Sequence, residues 1–201
     1  MFKQAAKSIM RFLARILMLP AYFIYSIAYL VFPKDSVFSG FSQLLSLLPG
    51  TWGSYLRVGF YQLTMKKCHE NLVIGFGTLF SQQQTELSEG VYIGPQCNIG
   101  QSSIEKNCLI GSGVHIMSGK TQHTFIDLNT PIKAQGGTFD TISIGEDSWI
   151  GNGSLIMANI GKKCVVGAGS VVINDTPDYS IVAGNPAKII KSRIQTKKTA
   201  V

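Results

Sequence analysis

Three histidines, His69, His115 and His123, are the side chains of this 201-residue chain that titrate near neutral pH without special tuning. His123 stands apart from the other two by its place in a six-residue repeat. An aliphatic residue returns at Ile93 and Ile99, at Ile104, Ile110 and Ile116, at Ile144, Ile150 and Ile156, and at Ile160, Val166 and Val172. Between Ile116 and Ile144 the period stops, and SGKTQHTFIDLNTPIKAQGGTFDT (118–141) intervenes, with His123 inside it. A regular repeat builds a scaffold, and a long loop ejected from a scaffold is where chemistry concentrates. An imidazole with a pKa of about 6.5 is partly neutral near physiological pH and able to accept a proton.

The repeat unit reads aliphatic, Gly or another small residue, two polar residues, a small residue, then any residue: IGPQCN, IGEDSW, IGNGSL and VGAGSV. A fixed hexapeptide period predicts a parallel β-helix, three units to a triangular coil. The aliphatic side chain is expected to point inward, and glycine to permit the turn at each corner. The spacing predicts five coils from about Leu72 to about Val172, with steps of five at Ile99–Ile104 and four at Ile156–Ile160 breaking strict register. Cys97, Cys108 and Cys164 share one slot, four residues after Ile93, Ile104 and Ile160; Val114, Ser148, Ser154 and Ser170 fill it elsewhere. That slot takes small packing residues, and no CxxC or CxxH spacing points to a metal or a disulfide. Reduced thiols fit a cytoplasmic setting.

Charge is distributed unevenly. Residues 1–67 carry eight Lys/Arg and one acid, Asp35, whereas residues 68–201 carry ten of each sign, so the net +7 belongs to the N-terminal third. Within it, Lys3, Lys7, Arg11 and Arg15 step by four onto one helical face, and ILMLPAYFIYSIAYLVF (16–32) has no charge. Basic residues beside an apolar run suit anionic lipid headgroups rather than nucleic acid. Seventeen residues are at the short limit for a membrane crossing, and Pro20 is expected to kink a helix near its start. The stretch 41–63, rich in Leu, Trp, Phe and Tyr, reads as an interfacial helix. A cleaved signal peptide is the competing reading of residues 1–30; no small-x-small site follows the apolar run. The expected organisation is a membrane-associated helical segment (1–67), a β-helix domain (68–193, loop 117–141 projecting) and a basic tail (194–201).

The stretch SIGEDSWIGNGSLIMANIGKKCVVGAGSVVINDTPDYSIVAGNPAKII resembles the C-terminal signature of the hexapeptide-repeat acyltransferases. Within that superfamily the loop HTFIDLNTPIKAQG is similar to the bacterial branch that O-acetylates surface polysaccharides of the colanic-acid type. The resemblance covers about residues 72–193. It implies a left-handed parallel β-helix, a homotrimer and acetyl-CoA as acyl donor, with no metal. It also implies that His123 is the general base that takes the proton from an acceptor hydroxyl. Many members carry H-x-H here; this chain has Thr121 at the first position, which leaves the group that orients His123 undefined. Asp127 matches an acid common in the family loop, with two open readings, orienting His123 or capping the loop backbone. His115 is expected to point outward from a coil, with a structural role favoured, and His69 precedes the coils.

For the donor, the resemblance places Trp149 against the pantetheine arm, and Gly151, Gly167, Ala168 and Ser170 along a low surface. Asn185 and Lys188 of AGNPAK (183–188) fall near the adenosine and its phosphates. The segment IMANIG (156–161) is two residues shorter than the family's commoner form. The β-helix is shared with γ-type carbonic anhydrases, but His115 and His123 are eight residues apart and His69 is coils away, a poor match to a three-ligand zinc site.

These readings converge on O-acetylation of a glycan or glycolipid precursor at the cytoplasmic face of the bacterial inner membrane, with residues 1–60 as the membrane contact. An enzyme for a small soluble acceptor and a non-catalytic scaffold are the alternatives.

Overall fold

The computed structural model describes residues 2–194. All but Ile194 of the expected basic tail lies outside them. Four helices lead: α1 (Phe2–Leu17), α2 (Leu19–Val31), α3 (Lys34–Ser46) and α4 (Gly50–Thr64). Proline punctuates them as its missing N–H dictates. Pro20 lies in the first turn of α2, where the chain bends by 42° from α1, and Pro33 and Pro49 precede α3 and α4.

The rest of the chain coils into a three-sided parallel β-solenoid. The first face is built by strands Lys67–Cys68, Glu86–Leu87, Ser102–Ile104 and Ile142–Ile144. The second holds Val73–Ile74, Tyr92–Ile93, Leu109–Ile110, Trp149–Ile150, Val165–Val166 and Ser180–Gly184, closed by the antiparallel strand Ala187–Ser192. The third holds Leu79–Phe80, Asn98–Ile99, His115–Ile116, Leu155–Ile156 and Val171–Val172. Six parallel strands on the second face make six coils, one more than the spacing suggested, because the sixth, Ser180–Gly184, follows Val172, where the aliphatic–glycine unit no longer repeats. Aliphatic columns fill the interior, such as Ile74, Ile93, Ile110, Ile150, Val166 and Val182. Ile104 and Ile144 pair directly, so the loop between them leaves the register intact.

The corner glycines act differently from the expectation. Gly75, Gly145 and Gly151 have ordinary φ; a Cβ on them would lie 2.4–2.5 Å from backbone nitrogen of the next coil. They are there for close stacking. The left-handed turn falls two residues later, at Gln96, Asn107, Asp147, Lys163 and Tyr179 (φ 56–61°) or at Gly77, Gly113, Gly153 and Gly169.

The small slot also has a second requirement. Its side chains donate to corner carbonyls of the next coil: Thr78 to Gly94 (2.7 Å), Ser148 to Gly161 (2.8 Å), Ser154 to Gly167 (3.0 Å) and, through sulfur, Cys97 to Gly111 and Cys108 to Gly145 (3.1 Å each). The slot therefore selects small donors, which explains why Ser, Thr and Cys interchange there.

An open solenoid end exposes its stacked core and needs a cap. Here α3 and α4 supply it. Tyr61 meets Phe80 edge-on at 5.0 Å, and Ser42 Oγ accepts the Phe80 amide at 2.8 Å. Arg57, fully buried, donates to the carbonyls of Leu45, Leu48 and Ile74. This corrects the interfacial reading of 41–63: Val58, Phe60 and Tyr61 of α4 are buried in protein. Of the basic ladder of α1, Lys7 and Arg11 line a cleft that also takes in the first turn of α4 and the first coil, and Lys7 and Arg15 are exposed. Phe12 and Ile16 of α1, with Phe23, Ile24 and Leu30 of α2, are exposed. No single helix among the described residues is long and apolar enough to cross a membrane; α1 and α2 reach that length together only as a bent pair.

Candidate active site

The loop that carries His123 leaves the solenoid after the third-face strand His115–Ile116 and rejoins at the first-face strand Ile142–Ile144. Its neck is closed by short polar contacts. Thr121 Oγ1 donates to Asp140 Oδ2 at 3.0 Å and pairs with Thr138 Oγ1 at 2.7 Å, while the Thr138 amide donates to the Thr121 carbonyl at 2.8 Å. Lys120 Nζ reaches the Ile173 carbonyl at 2.7 Å, tying the neck to a later coil. Gly137 is obligatory there, because a Cβ would lie 2.0 Å from the Gln122 carbonyl oxygen. The neck thus holds the backbone on both sides of His123, whose imidazole is exposed to solvent.

Asp127 does not form the dyad with His123. Its carboxylate accepts the Asn129 amide at 2.8 Å and the Thr130 hydroxyl at 2.6 Å, and these hydrogen bonds hold its pKa below the usual carboxylate range. Gln135 bonds both the Asp127 amide and its carbonyl, so Asp127 caps the outer loop. The acid at the neck is Asp140 instead, and it holds Thr121. The loop's outer part exposes Phe125, Ile126 and Leu128, the last 95% accessible.

His115 has a place that its spacing alone did not reveal. It points outward from the third face, paired with Asn98 and Leu155, and lines a cavity of about 290 Å³ with Gln122 and Phe139 of the loop. The residue next to His123 thus shares a cavity with His115. Only the loop's fold across the third face brings them together, and no local signal encodes that. His69 Nδ1 accepts the Asn71 amide at 3.0 Å, a turn contact. Among the described residues no group of three or more His, Cys, Asp or Glu is arranged to hold a metal ion.

The donor-side residues divide by burial. Trp149 stands outward on the second face, 50% accessible, in a row with Val73, Tyr92 and Leu109. Ala168, Asn185 and Lys188 are also exposed, the last two at the terminal hairpin. Ser170 and Gly151 are corrected to structural positions. Ser170 is fully buried, its hydroxyl donating to the Gly167 carbonyl at 2.6 Å and accepting the Gly184 amide at 3.2 Å. Gly151 is buried, and its amide, like that of Gly167, belongs to the strand ladder at 2.8 Å. Neither amide is free for a ligand.

The faces carry a topological consequence. The second face is flanked by the corners at Asp147 and at Gly153, whereas the loop emerges at the third corner. Within one chain, the loop and the Trp149 row therefore do not share an edge.

A three-sided parallel solenoid with one ejected histidine loop defines a hexapeptide-repeat protein. The family profile described as the hexapeptide repeat of succinyl-transferase matches residues 101–119 and 141–173, the coils on either side of the loop. The putative lipopolysaccharide biosynthesis O-acetyl transferase WbbJ of Escherichia coli K12 is 31% identical over 124 residues, covering 58% of this chain and 62% of that protein. A chloramphenicol acetyltransferase of Escherichia coli is 33% identical over 121 residues, covering 52% and 57%. The chain spans between 24% and 66% of the length of the curated relatives it matches. Among solved structures, a galactoside acetyltransferase in complex with coenzyme A superposes with a TM-score of 0.67 at 20% identity, over 80% of this chain and 81% of that one. That share exceeds what the solenoid and tail can supply, so the likeness of fold extends into the helical cap. The coils on either side of the loop thus carry the hexapeptide repeat of the acyltransferase family, and the chain is similar to named acetyltransferases over about half of its length.

Proposed function

We propose that this protein is an acetyl-CoA-dependent O-acetyltransferase acting on a sugar hydroxyl of a surface polysaccharide or lipid-linked glycan precursor. The observation that carries the reading is His123, exposed on a loop that the Thr121–Asp140 neck fastens across the third face. His123 accepts the proton of the acceptor hydroxyl as its oxygen attacks the thioester carbonyl. The tetrahedral intermediate collapses with cleavage of the C–S bond, and the imidazolium returns the proton to the departing thiolate, giving the ester and free CoA. His115 and Gln122 line the acceptor side of this site.

Direct transfer is supported by the state of the thiols. Burial raises the pKa of Cys108 to about 11 and also lifts that of Cys97 and Cys164, so none is poised to form an acyl-enzyme. The donor reading draws on the galactoside acetyltransferase bound to coenzyme A, with Trp149, Ala168, Asn185 and Lys188 as the exposed residues to hold it. A homotrimer is supported by topology: the loop and the Trp149 row meet only if a neighbouring copy brings its second face to the loop. The WbbJ relative favours a glycan acceptor, and the exposed apolar side chains of α1 and α2 favour attachment to the cytoplasmic face of a bacterial inner membrane.

The chloramphenicol acetyltransferase relative favours a small soluble acceptor instead. Release of CoA thiol, followed with a membrane glycolipid fraction and with soluble acceptors in parallel, separates the two. The proposal expects turnover with the glycolipid fraction; turnover with soluble acceptors alone overturns it.

A further inference from the structure

The helical cap contains a second candidate site, far in sequence from the loop. A cleft of about 540 Å³ opens between α1, the first turn of α4 and the first coil, lined by Lys7, Arg11, Tyr55, Arg57, Asn71 and Phe76 among others. Three of these residues are cationic, and no Asp or Glu lines the cleft. A smaller hollow beside it is again bordered by Lys7, Arg11 and Asn71.

Arg11 and Arg57 are held by hydrogen bonds, and none of the three cations is paired with a carboxylate among the described residues. Arg57 is fully buried and donates only to main-chain carbonyls: Leu48 at 2.6 Å, Ile74 at 2.8 and 3.2 Å, and Leu45 at 3.2 Å. The ion pairs among the described residues, Lys66–Glu86 and Lys162–Asp178, involve none of the three. A buried cation without a counter-ion is costly to hold, and the desolvation lowers the Arg57 pKa accordingly. Arg11 Nη2 donates to Asn71 Oδ1, while its Nε is buried without a partner. Arg11 thus carries one hydrogen-bond donor that the protein itself does not satisfy. The start of α4, with Gly50 and Thr51 in the wall and no side-chain cap, adds the positive end of a helix dipole.

We infer that this cleft binds a phosphoryl anion, with Arg11 and Lys7 as direct ligands and the buried Arg57 charge behind them. Arg and Lys in an acid-free hollow next to an uncapped helix start match the geometry and charge of a phosphate, and the cleft exceeds the size of the bare ion. The phosphate is carried either on a lipid headgroup or on a soluble molecule. The binding experiment has an arm for each.

Titration calorimetry on the full chain uses inorganic phosphate in one arm and monomeric dihexanoyl phosphatidylglycerol, below its micelle concentration, in the other. Saturable binding of one ligand per chain is expected. Arg11→Gln weakens it at least about tenfold, the equivalent of one lost charge-assisted hydrogen bond. Arg15→Gln, on the same helix but outside the cleft, leaves it within about twofold. Thr51→Glu, which adds a carboxylate to the wall and removes no cation, abolishes binding and keeps the circular dichroism of the native fold. Tighter binding of the short-chain lipid supports a headgroup ligand, and equal or tighter binding of phosphate supports a soluble one. No saturable binding in either arm, or an equal loss in Arg11→Gln and Arg15→Gln, overturns the inference.

Discussion

Thr121 and Asp140, nineteen residues apart, are joined by a 3.0 Å hydrogen bond across the neck of the loop that holds His123. Thr121 stands where many relatives of the polysaccharide-acetylating branch are expected to carry a first histidine. In this chain the position serves the loop's geometry instead. Orientation of His123 comes from its backbone, gripped on both sides, rather than from a carboxylate partner.

Thr121→Val removes the contacts to Asp140 and Thr138 together. Hydrogen exchange of amides 119–139 is expected to accelerate at least about tenfold, as the loss of two hydrogen bonds of about 1 kcal/mol each implies. The melting temperature should stay close to wild type, because the neck lies outside the buried columns. An unchanged exchange profile would mean that the neck does not hold the loop.

The corner positions have opposite tolerances. Gly151→Ala drives a Cβ to within 2.5 Å of the Ala168 nitrogen and is expected to destabilise by about 1–3 kcal/mol in urea unfolding. Gly153→Asn, two residues away, meets open space, and Asn107 already occupies the equivalent left-handed position, so the change should stay within about 1 kcal/mol. The reverse ranking would refute the assignment of close stacking to one position and the turn to the other.

The ladder of slot donors makes a chemical prediction. With its thiol pKa raised to about 11 by burial, Cys108 is almost wholly protonated at pH 8, and Cys97 and Cys164 shift in the same direction. Iodoacetamide should leave all three unmodified in the native protein and label them only after denaturation. Rapid native labelling would place these side chains outside the core.

On the helical cap, Phe23→Glu with Ile24→Glu places two charges on the exposed apolar side of α2 without touching the solenoid. Pelleting with phosphatidylglycerol vesicles should fall at least about tenfold, because each charge forfeits apolar contact with lipid. Retained pelleting would remove these helices as the membrane contact.

The solenoid was legible because each inward aliphatic stacks on an equivalent one coil away, which imprints a period on the chain. Cys97, Cys108 and Cys164 were placed in the core by the same argument, whereas their role as donors depends on carbonyls in another coil. The cap was misread for a physical reason. An apolar helix such as α4 carries the same pattern whether it faces lipid or the open end of a β-helix, and only the Arg57 contacts to Leu45, Leu48 and Ile74 separate the two. His115 was undervalued because its cavity is completed by Gln122 and Phe139, which the loop delivers by folding back. Asp127 had two readings at the sequence level, and its bonds to Asn129 and Thr130 decide for the cap.

The central claim is that His123 is the base. The most direct measurement is the steady-state rate of CoA release from acetyl-CoA with a glycolipid acceptor, for wild type and His123→Ala, alongside the acetyl-CoA dissociation constant of each. A fall in kcat of roughly 10²–10⁴-fold with donor affinity unchanged within about twofold is the expected result. A variant that keeps wild-type kcat would contradict it.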